Sequence, residues 1–130
     1  MNERFLFRGK RLDNDEWVQG SLLQYHDFYG KYTVAIAERF IDVPSISRTD
    51  PIFEKVDPKT LGQCTDLRDT KGKIAFEGDI IKCKYGTTEI KTVVVFEYAM
   101  FRAGNISLCT FMSRFEILGN VHDNPKLLEV

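Results

Sequence analysis

Short runs in which apolar and polar residues alternate recur along the whole chain. The clearest two are Ile80–Tyr85 and Glu89–Phe96, and the residues between them, Gly86-Thr87-Thr88, have the composition of a turn. Successive side chains of a strand point to opposite faces, so an alternating run predicts a strand with one buried face. The two runs are therefore predicted to form a β-hairpin. No stretch of the sequence has the period of a long amphipathic helix.

Further β-hairpins are predicted nearer the start of the chain. Strands are expected at 5–12 and 16–23, on either side of the turn residues Asp13-Asn14-Asp15, and again at 32–37 and 40–44. Trp17, the only tryptophan, lies just after the first turn, where its ring can cover one face of a two-stranded unit that is not stable alone.

Two segments of this half lack a regular period. Gln24–Gly30 mixes polar and aromatic residues and is predicted to be a loop or a ragged hairpin. Ser45–Pro51 has the most linker-like composition of the chain, which predicts a boundary near residue 50. The expected organisation is an N-terminal β subdomain over residues 1–50 and a C-terminal one over residues 51–130, either separate or packed as one compact unit.

The second half of the chain also consists of short predicted strands. A strand at 52–56 is followed by Asp57-Pro58, which favours a short helical turn. A weaker hairpin is expected around Gly104-Asn105, then a closing strand at 115–121 and a last helical turn after Asn124. Short strands joined by polar turns favour a barrel or sandwich over an alternating α/β fold. The predicted fold class is mostly β, with little helix.

The sequence Glu77-Gly78-Asp79 stands immediately before the strand at 80–85. Gly78 can adopt a positive φ and Asp79 can accept hydrogen bonds from nearby amides, so the three residues predict a corner in the chain. The two carboxylates could instead form a pair for acid–base chemistry or for a divalent cation. We favour the structural role, in which they satisfy backbone amides or pair with Arg8 or Lys10.

Composition and charge limit the classes of partner. The 130 residues suffice for one domain, or for a compact domain with a smaller β subdomain, and 43% of them are hydrophobic. A net charge of -1 argues against a dedicated electrostatic binder of nucleic acid or of anionic membrane. The sequence has no apolar run long enough to span a membrane and does not start like a signal peptide, so we expect a cytosolic protein without a membrane partner.

One basic stretch near the start is interleaved with phenylalanines. Its candidate nucleic-acid contacts are Arg4, Arg8, Lys10 and Arg11. In a strand, the first three of these residues would share one face, while Phe5 and Phe7 would point into the core. A solvated basic edge is therefore favoured over a platform on which bases stack.

Cysteine and histidine residues give no pattern of a metal site or a nucleophile. Cys64, Cys83 and Cys109 are widely spaced, and neither His26 nor His122 has a ligand-type residue at zinc spacing. We expect thiols that are mostly small core residues, with no metal, no cofactor and no catalytic residue.

Four blocks of sequence carry a resemblance to a known family. They are Phe7-Arg8-Gly9-Lys10 with Trp17-Val18-Gln19-Gly20, Val56–Gln63 with Thr65, Asp69–Lys73 with Phe76–Ile81, and Leu118–Pro125. Together, and in this order, they resemble the YopX family of phage and prophage proteins. The resemblance covers nearly the whole chain.

The resemblance implies a mostly β protein whose C-terminal half is similar to an SH3-type barrel. It also implies a gene of phage or prophage origin and a place in the cytoplasm of the bacterial host. The family brings no established activity and no catalytic residues. We therefore expect a non-catalytic accessory protein that binds a protein partner, or itself, through its β surface. Nucleic-acid binding through the basic N-terminal strand is the alternative, and an enzyme comes third.

Overall fold

The computed structural model describes residues 3–129 and is mostly β. The strands are β1 (Phe7–Lys10), β2 (Trp17–His26), β3 (Tyr32–Val43), β4 (Arg48–Lys55), β5 (Gly62–Arg68), β6 (Ile74–Phe76), β7 (Asp79–Tyr85), β8 (Thr88–Glu97), β9 (Met100–Ala103), β10 (Ile106–Ser107) and β11 (Phe115–Asn120). Short 3₁₀ turns lie at Glu3–Phe5, Pro44–Ile46, Pro58–Thr60, Leu108–Thr110 and Pro125–Leu128. The predicted fold class, mostly β with little helix, is confirmed.

The chain forms two compact units that divide between Gln63 and Cys64. The boundary predicted near residue 50 falls inside β4, which pairs with β3 along its length. The prediction of a linker at Ser45–Pro51 is wrong, because Pro44 starts a tight 3₁₀ turn and Ser47 closes it in a left-handed conformation with φ 50°. These turn residues reverse the chain within a hairpin.

The N-terminal unit is an antiparallel sheet in the order β4-β3-β2-β1, with the first residues of β5 paired beyond β1. Val18, Val34, Ile36 and Val56 form its buried cluster. Around them pack the partly buried side chains of Phe7, Leu22 and Leu61. The hairpin predicted around Asp13-Asn14-Asp15 is present. Of the loop or ragged hairpin predicted at Gln24–Gly30, the hairpin is present, because β2 continues to His26 and pairs with β3 up to Tyr32.

Strand β3 is one strand, whereas the sequence predicts two. Its register with β4 shifts between Ala37 and Arg39, so the alternation of side chains is interrupted there. At this point β2 approaches closely, and a Cβ atom on Gly20 would overlap the carbonyl oxygen of Ala37. The backbone N–H of Gln19 donates to the Glu38 carboxylate at 2.7 Å. The register shift and the close approach together explain why the alternation of apolar and polar residues is interrupted between residues 37 and 40.

The C-terminal unit contains an antiparallel sheet in the order β10-β9-β8-β7-β11. Its buried cluster consists of Ala75, Ile81, Cys83, Val94, Ala103, Leu108, Phe111 and Phe115. The predicted hairpins of β7 with β8 and of β9 with β10 are confirmed. The closing strand and the last helical turn are also present. The SH3-like character of this unit stays a prediction.

Asp69 covers the outer edge of β11 in the C-terminal unit. Its carboxylate accepts hydrogen bonds from the backbone N–H groups of Ile117 at 3.1 Å and of Lys71 and Lys73 at 2.9 Å. Thr70 N–H donates to the carbonyl of Phe115 at 2.9 Å. Burial would raise the pKa of Asp69, but these hydrogen bonds outweigh it and lower the pKa below its ordinary value. The turn thus satisfies amides of a strand edge.

Candidate functional site

The corner Glu77-Gly78-Asp79 has a structural role in the C-terminal unit. Gly78 has φ 94°, its N–H donates to the carbonyl of Val94 at 2.8 Å, and its own carbonyl accepts from Val121 at 2.9 Å. Asp79 is 1% exposed and its carboxylate accepts from the N–H of Phe76 at 2.8 Å. Hydrogen bonds to backbone amides are the role that the sequence favours for Asp79.

A metal site needs at least three His, Cys, Asp or Glu side chains close together. No such group occurs in the part of the chain that the structure describes. All three cysteines lie in this part, and none forms a disulfide. Cys64 and Cys83 are buried, as small core residues would be, whereas Cys109 is exposed. The prediction that most of the thiols are core residues is confirmed, and Cys109 is the exception.

The basic N-terminal residues do not form one row of cations. Arg4 lies in a 3₁₀ turn with its guanidinium 4.8 Å from the ring centroid of Phe5. Arg8 is 9% exposed, so the prediction of a solvated basic edge is wrong at this residue. Arg11 donates to the Asp13 carboxylate at 2.9 and 2.6 Å and also lies 3.3 Å from Glu54.

Trp17 lies against two of these cations. The guanidinium of Arg8 is 4.8 Å and the ammonium of Lys10 is 5.6 Å from its ring centroid. Lys10 and Trp17 are paired across β1 and β2, so their side chains share a face of the sheet. Both cations therefore make cation–π contacts with the indole ring of Trp17. Phosphate contact by Arg4, Arg8, Lys10 and Arg11 stays a prediction, which this arrangement does little to support.

The two phenylalanines of the basic stretch have different surroundings. Phe7 lies in β1 and packs against the buried cluster of the N-terminal unit, as predicted. Phe5 lies in the preceding 3₁₀ turn and is 63% exposed, so its predicted place in the core is wrong. A 3₁₀ turn does not alternate its side chains between two faces, and the strand argument therefore fails at Phe5.

Phe28 and Tyr29 stand at the turn between β2 and β3 and are 95% and 90% exposed. Their rings meet edge to face with centroids 5.4 Å apart. Asp27 holds the turn, because one of its carboxylate oxygens accepts from the backbone N–H groups of Tyr29 and Lys31, each at 2.9 Å. We call Asp27–Lys31 the aromatic tip. It presents two large rings to solvent on a turn fixed by hydrogen bonds.

Beyond the register shift, β3 and β4 continue as a two-stranded ribbon in the N-terminal unit. We call Glu38–Val43 with Arg48–Ile52 the distal ribbon; its pairing continues to Val43 and Arg48. Residues 38–42 are all exposed, and among them Phe40 and Ile41 are 57% and 53% exposed. The ribbon therefore carries apolar side chains outside the buried cluster of its unit.

A cleft of about 690 Å³ opens in the C-terminal unit where β7 ends. Lys82, Lys84 and Tyr85 of β7 line one part of it, and Phe111, Arg114 and Glu116 line another. Its volume lies within the range of ligand-binding sites. We call it the β7 cleft.

Sequence reasoning missed both the aromatic tip and the β7 cleft. The tip lies in the segment without a period, and its only signal is a Phe-Tyr pair between turn-forming residues. In the sequence, the lysines of the cleft look like charges that keep a strand soluble. Nothing connects them with Phe111 and Arg114, which are distant in sequence. Only the fold places these residues together.

Comparison with known proteins places the chain in a family. The family model described as YopX protein matches residues 6–129. The chain belongs to the YopX family. No curated protein matches it significantly. A crystal structure of protein EF1440 from Enterococcus faecalis is similar to it, with a TM-score of 0.62 and 23% identity over 95% of this chain and 96% of that one.

The YopX blocks lie mainly at turns and strand ends. Val56–Gln63 contains the 3₁₀ turn in which Asp57 accepts from the N–H of Lys59 at 3.0 Å. In the last block, the side-chain oxygen of Asn124 accepts from the N–H of Asn120 at 3.2 Å.

The helical segments of residues 3–129 are short, and none of them has the length and hydropathy of a membrane-spanning helix.

Proposed function

We propose that this YopX-family protein is a non-catalytic accessory protein of a phage or prophage that binds a protein partner in the bacterial host cytoplasm. The aromatic tip carries the proposal, because Phe28 and Tyr29 are almost fully exposed on a turn that Asp27 holds in place. Aromatic side chains dominate the binding energy of protein interfaces. A fixed turn also reduces the entropy that is lost on binding.

The charges around the tip favour a protein pocket over a lipid surface. Asp27 and Lys31 carry opposite charges, so the tip has no excess of cations to attract anionic phospholipid. Tyr32, beside the tip, is hydrogen-bonded to the side chain of Gln24, and its ring is 5.8 Å from that of His26. The expected partner surface is an apolar pocket with a polar rim.

The two most buried carboxylates of the C-terminal unit support a role without catalysis. Asp69 and Asp79 each accept hydrogen bonds from backbone amides. A carboxylate held in this way stabilises its turn and does not need a substrate to explain its burial.

Site-specific photo-crosslinking in host cells tests the proposal. A photoreactive phenylalanine analogue at position 28 is expected to capture one protein of defined mass, and the same analogue at position 5 provides the control. Phe5 is also exposed, at 63%, but lies outside the tip. Capture of the same protein with equal yield from both positions would count against the tip as the binding surface.

Affinity for the captured protein gives the second measurement. The double substitution Phe28→Ser with Tyr29→Ser is expected to raise the Kd by at least about tenfold, which corresponds to about 1.4 kcal/mol. Phe5→Ser should leave the Kd unchanged. Binding to phospholipid vesicles that is lost in the double variant, or crosslinks only to a second copy of the chain, would overturn the proposal of a protein partner.

A further inference from the structure

We propose that the β7 cleft binds single-stranded nucleic acid, with Lys82, Lys84 and Arg114 contacting phosphates and Tyr85 stacking on a base. This site is separate from the aromatic tip and from the basic N-terminal residues. It goes beyond the proposed protein binding and does not depend on it.

The cleft lies where β7 extends past its partner β11. The last residue pair of these strands is Phe115 with Cys83, so Lys84 and Tyr85 continue alone on that side. On the other side, β7 stays paired with β8 as far as Tyr85. The turn at Leu108–Thr110 precedes Phe111 and Arg114, which line the cleft. Side chains of β7 alternate between faces, so Lys82 and Lys84 lie on the face opposite Cys83 and Tyr85. The cleft therefore runs around the open edge of β7, where both faces can be reached.

The three cations of the cleft lack a direct ionic partner in the part of the chain that the structure describes. Lys82, Lys84 and Arg114 form no ion pair within 4 Å with another described residue. Other cations of the chain do form such pairs, for example Lys71 with Glu116. Lys82 is directly opposite Lys91 across β8, and two like charges at such positions repel. A bound phosphate would relieve that repulsion.

The acidic side chains of the cleft only partly offset these cations. Glu116 is opposite Lys82 in register, but its carboxylate lies 3.3 Å from the ammonium of Lys71, so it is already paired. Glu89 is opposite Lys84 and is exposed. The lining has three cations and two carboxylates, Glu89 and Glu116, so its net charge is +1.

Arg114 is held in a fixed orientation. Its Nε donates to the carbonyl of Phe111 at 3.3 Å, and its Nη2 donates to the carbonyl of Thr110 at 3.2 Å. No hydrogen bond of Nη1 to another described residue competes for that donor. A guanidinium anchored by backbone carbonyls loses little entropy when it binds a phosphate oxygen.

Tyr85 provides the aromatic surface. It is 56% exposed, and its ring meets the buried ring of Phe111 at a centroid distance of 6.4 Å and an angle of 75°. The edge contact orients the ring, and more than half of its surface stays accessible. Stacking of bases on such rings is tolerant of sequence, because every base has a π face.

This combination favours a single strand over other anions. A duplex keeps its bases paired and stacked, so it offers no base face to Tyr85. An acidic peptide would satisfy the cations but has no regular series of planar rings for Tyr85. A single strand supplies phosphates and bases at once.

Fluorescence anisotropy with labelled oligo(dT) and oligo(rU) tests the proposal in the intact protein. Because about 0.7 counterions are released per phosphate contact in a single strand, three contacts predict a slope of log K against log salt of about -2. Lys82→Gln with Lys84→Gln should bring the slope to about -0.7 and weaken binding most at low salt. Tyr85→Ala should weaken binding by about five- to a hundredfold, and Tyr85→Phe should retain it.

A charge-matched variant provides the control. Lys55→Gln with Lys59→Gln removes the same two charges from exposed positions of the N-terminal unit and should leave binding unchanged. Circular dichroism checks that each variant is folded. The proposal is overturned if both lysine pairs have equal effects, if Tyr85→Ala binds normally, or if a duplex or dextran sulfate binds as tightly as the single strand.

Discussion

At the scale of single residues, Asp69 has the clearest energetic role. Replacing it with Asn keeps the shape but removes one acceptor, so at least one of the three backbone N–H groups loses its partner. We expect Asp69→Asn to lower the free energy of unfolding by about 1–3 kcal/mol at neutral pH. Chemical denaturation measures this loss, and the exposed Asp15→Asn provides the control.

The pH dependence of this effect has a definite sign. The pKa of Asp69 is lowered in the folded protein, so its ionised form stabilises the fold above the unfolded pKa of about 3.9. That stability is lost as the pH falls through the lower, folded pKa. The difference between wild type and Asp69→Asn should therefore shrink below about pH 4. A difference that stays constant across this range would contradict the role of the charge.

Residues with local partners could be predicted from the sequence, and residues with distant partners could not. Gly78 and Asp79 form their corner with near neighbours, such as the N–H of Phe76, and turn chemistry indicates this directly. Asp69 reads only as part of a polar reversal, because its bond to Ile117 spans 48 positions. The exposure of Phe28 is a property of the folded turn, which composition alone does not give.

At the scale of strands, the close approach of β2 to β3 sets a strict size limit at Gly20. A methyl group there would overlap the backbone carbonyl of Ala37, and backbone atoms cannot move aside as a flexible side chain can. We expect Gly20→Ala to destabilise the protein by about 1–3 kcal/mol, as measured by thermal or chemical unfolding. Ser21→Ala, at the next and exposed position, should change stability little. If the two variants were equally stable, β2 and β3 could move apart at Gly20 without loss of stability, and the size limit would be contradicted.

Strands with uninterrupted alternation were predictable, and those with irregularities were not. β7 and β8 alternate cleanly on both sides of a glycine turn, so both the strands and their pairing follow from the pattern. β3 is split in the pattern because its register shifts after Ala37. β4 contains Pro51 and polar residues, which read as a linker, yet a strand at the edge of a sheet tolerates proline.

At the scale of the whole molecule, the three cysteines differ in burial, and all of them lie in the C-terminal unit. Cys109 is exposed, with its sulfur 3.1 Å from the hydroxyl of Ser107, whereas Cys64 and Cys83 are buried. Burial also raises the pKa of Cys83, so less of its reactive thiolate is present. We expect a chromogenic disulfide reagent to titrate one thiol rapidly in the native protein and the other two only after unfolding.

The variant Cys109→Ser assigns the rapid phase. It should lose that phase entirely and keep the two thiols that react on denaturation. Two or three rapid thiols in the native protein would show that the C-terminal unit opens readily, since a buried thiol reacts only through an opened state.

For the whole chain, the sequence predicts class and family better than organisation. Alternating runs and turn residues fix a mostly β protein, and the YopX blocks extend over nearly all of it. The division between Gln63 and Cys64 falls within β5, where the composition shows no break. When a strand continues through the boundary between two units, the residues at the boundary have no turn or linker composition that would reveal it.

The distal ribbon has a consequence for how the protein can diverge. Phe40 and Ile41 are more than half exposed, so substitutions at these two positions remove little buried surface and should change global stability by about 0.5 kcal/mol or less. A position such as Ile36, which is 0% exposed, has no such freedom. The ribbon can thus vary in sequence under little constraint from folding, and related proteins could acquire different surfaces there on the same fold.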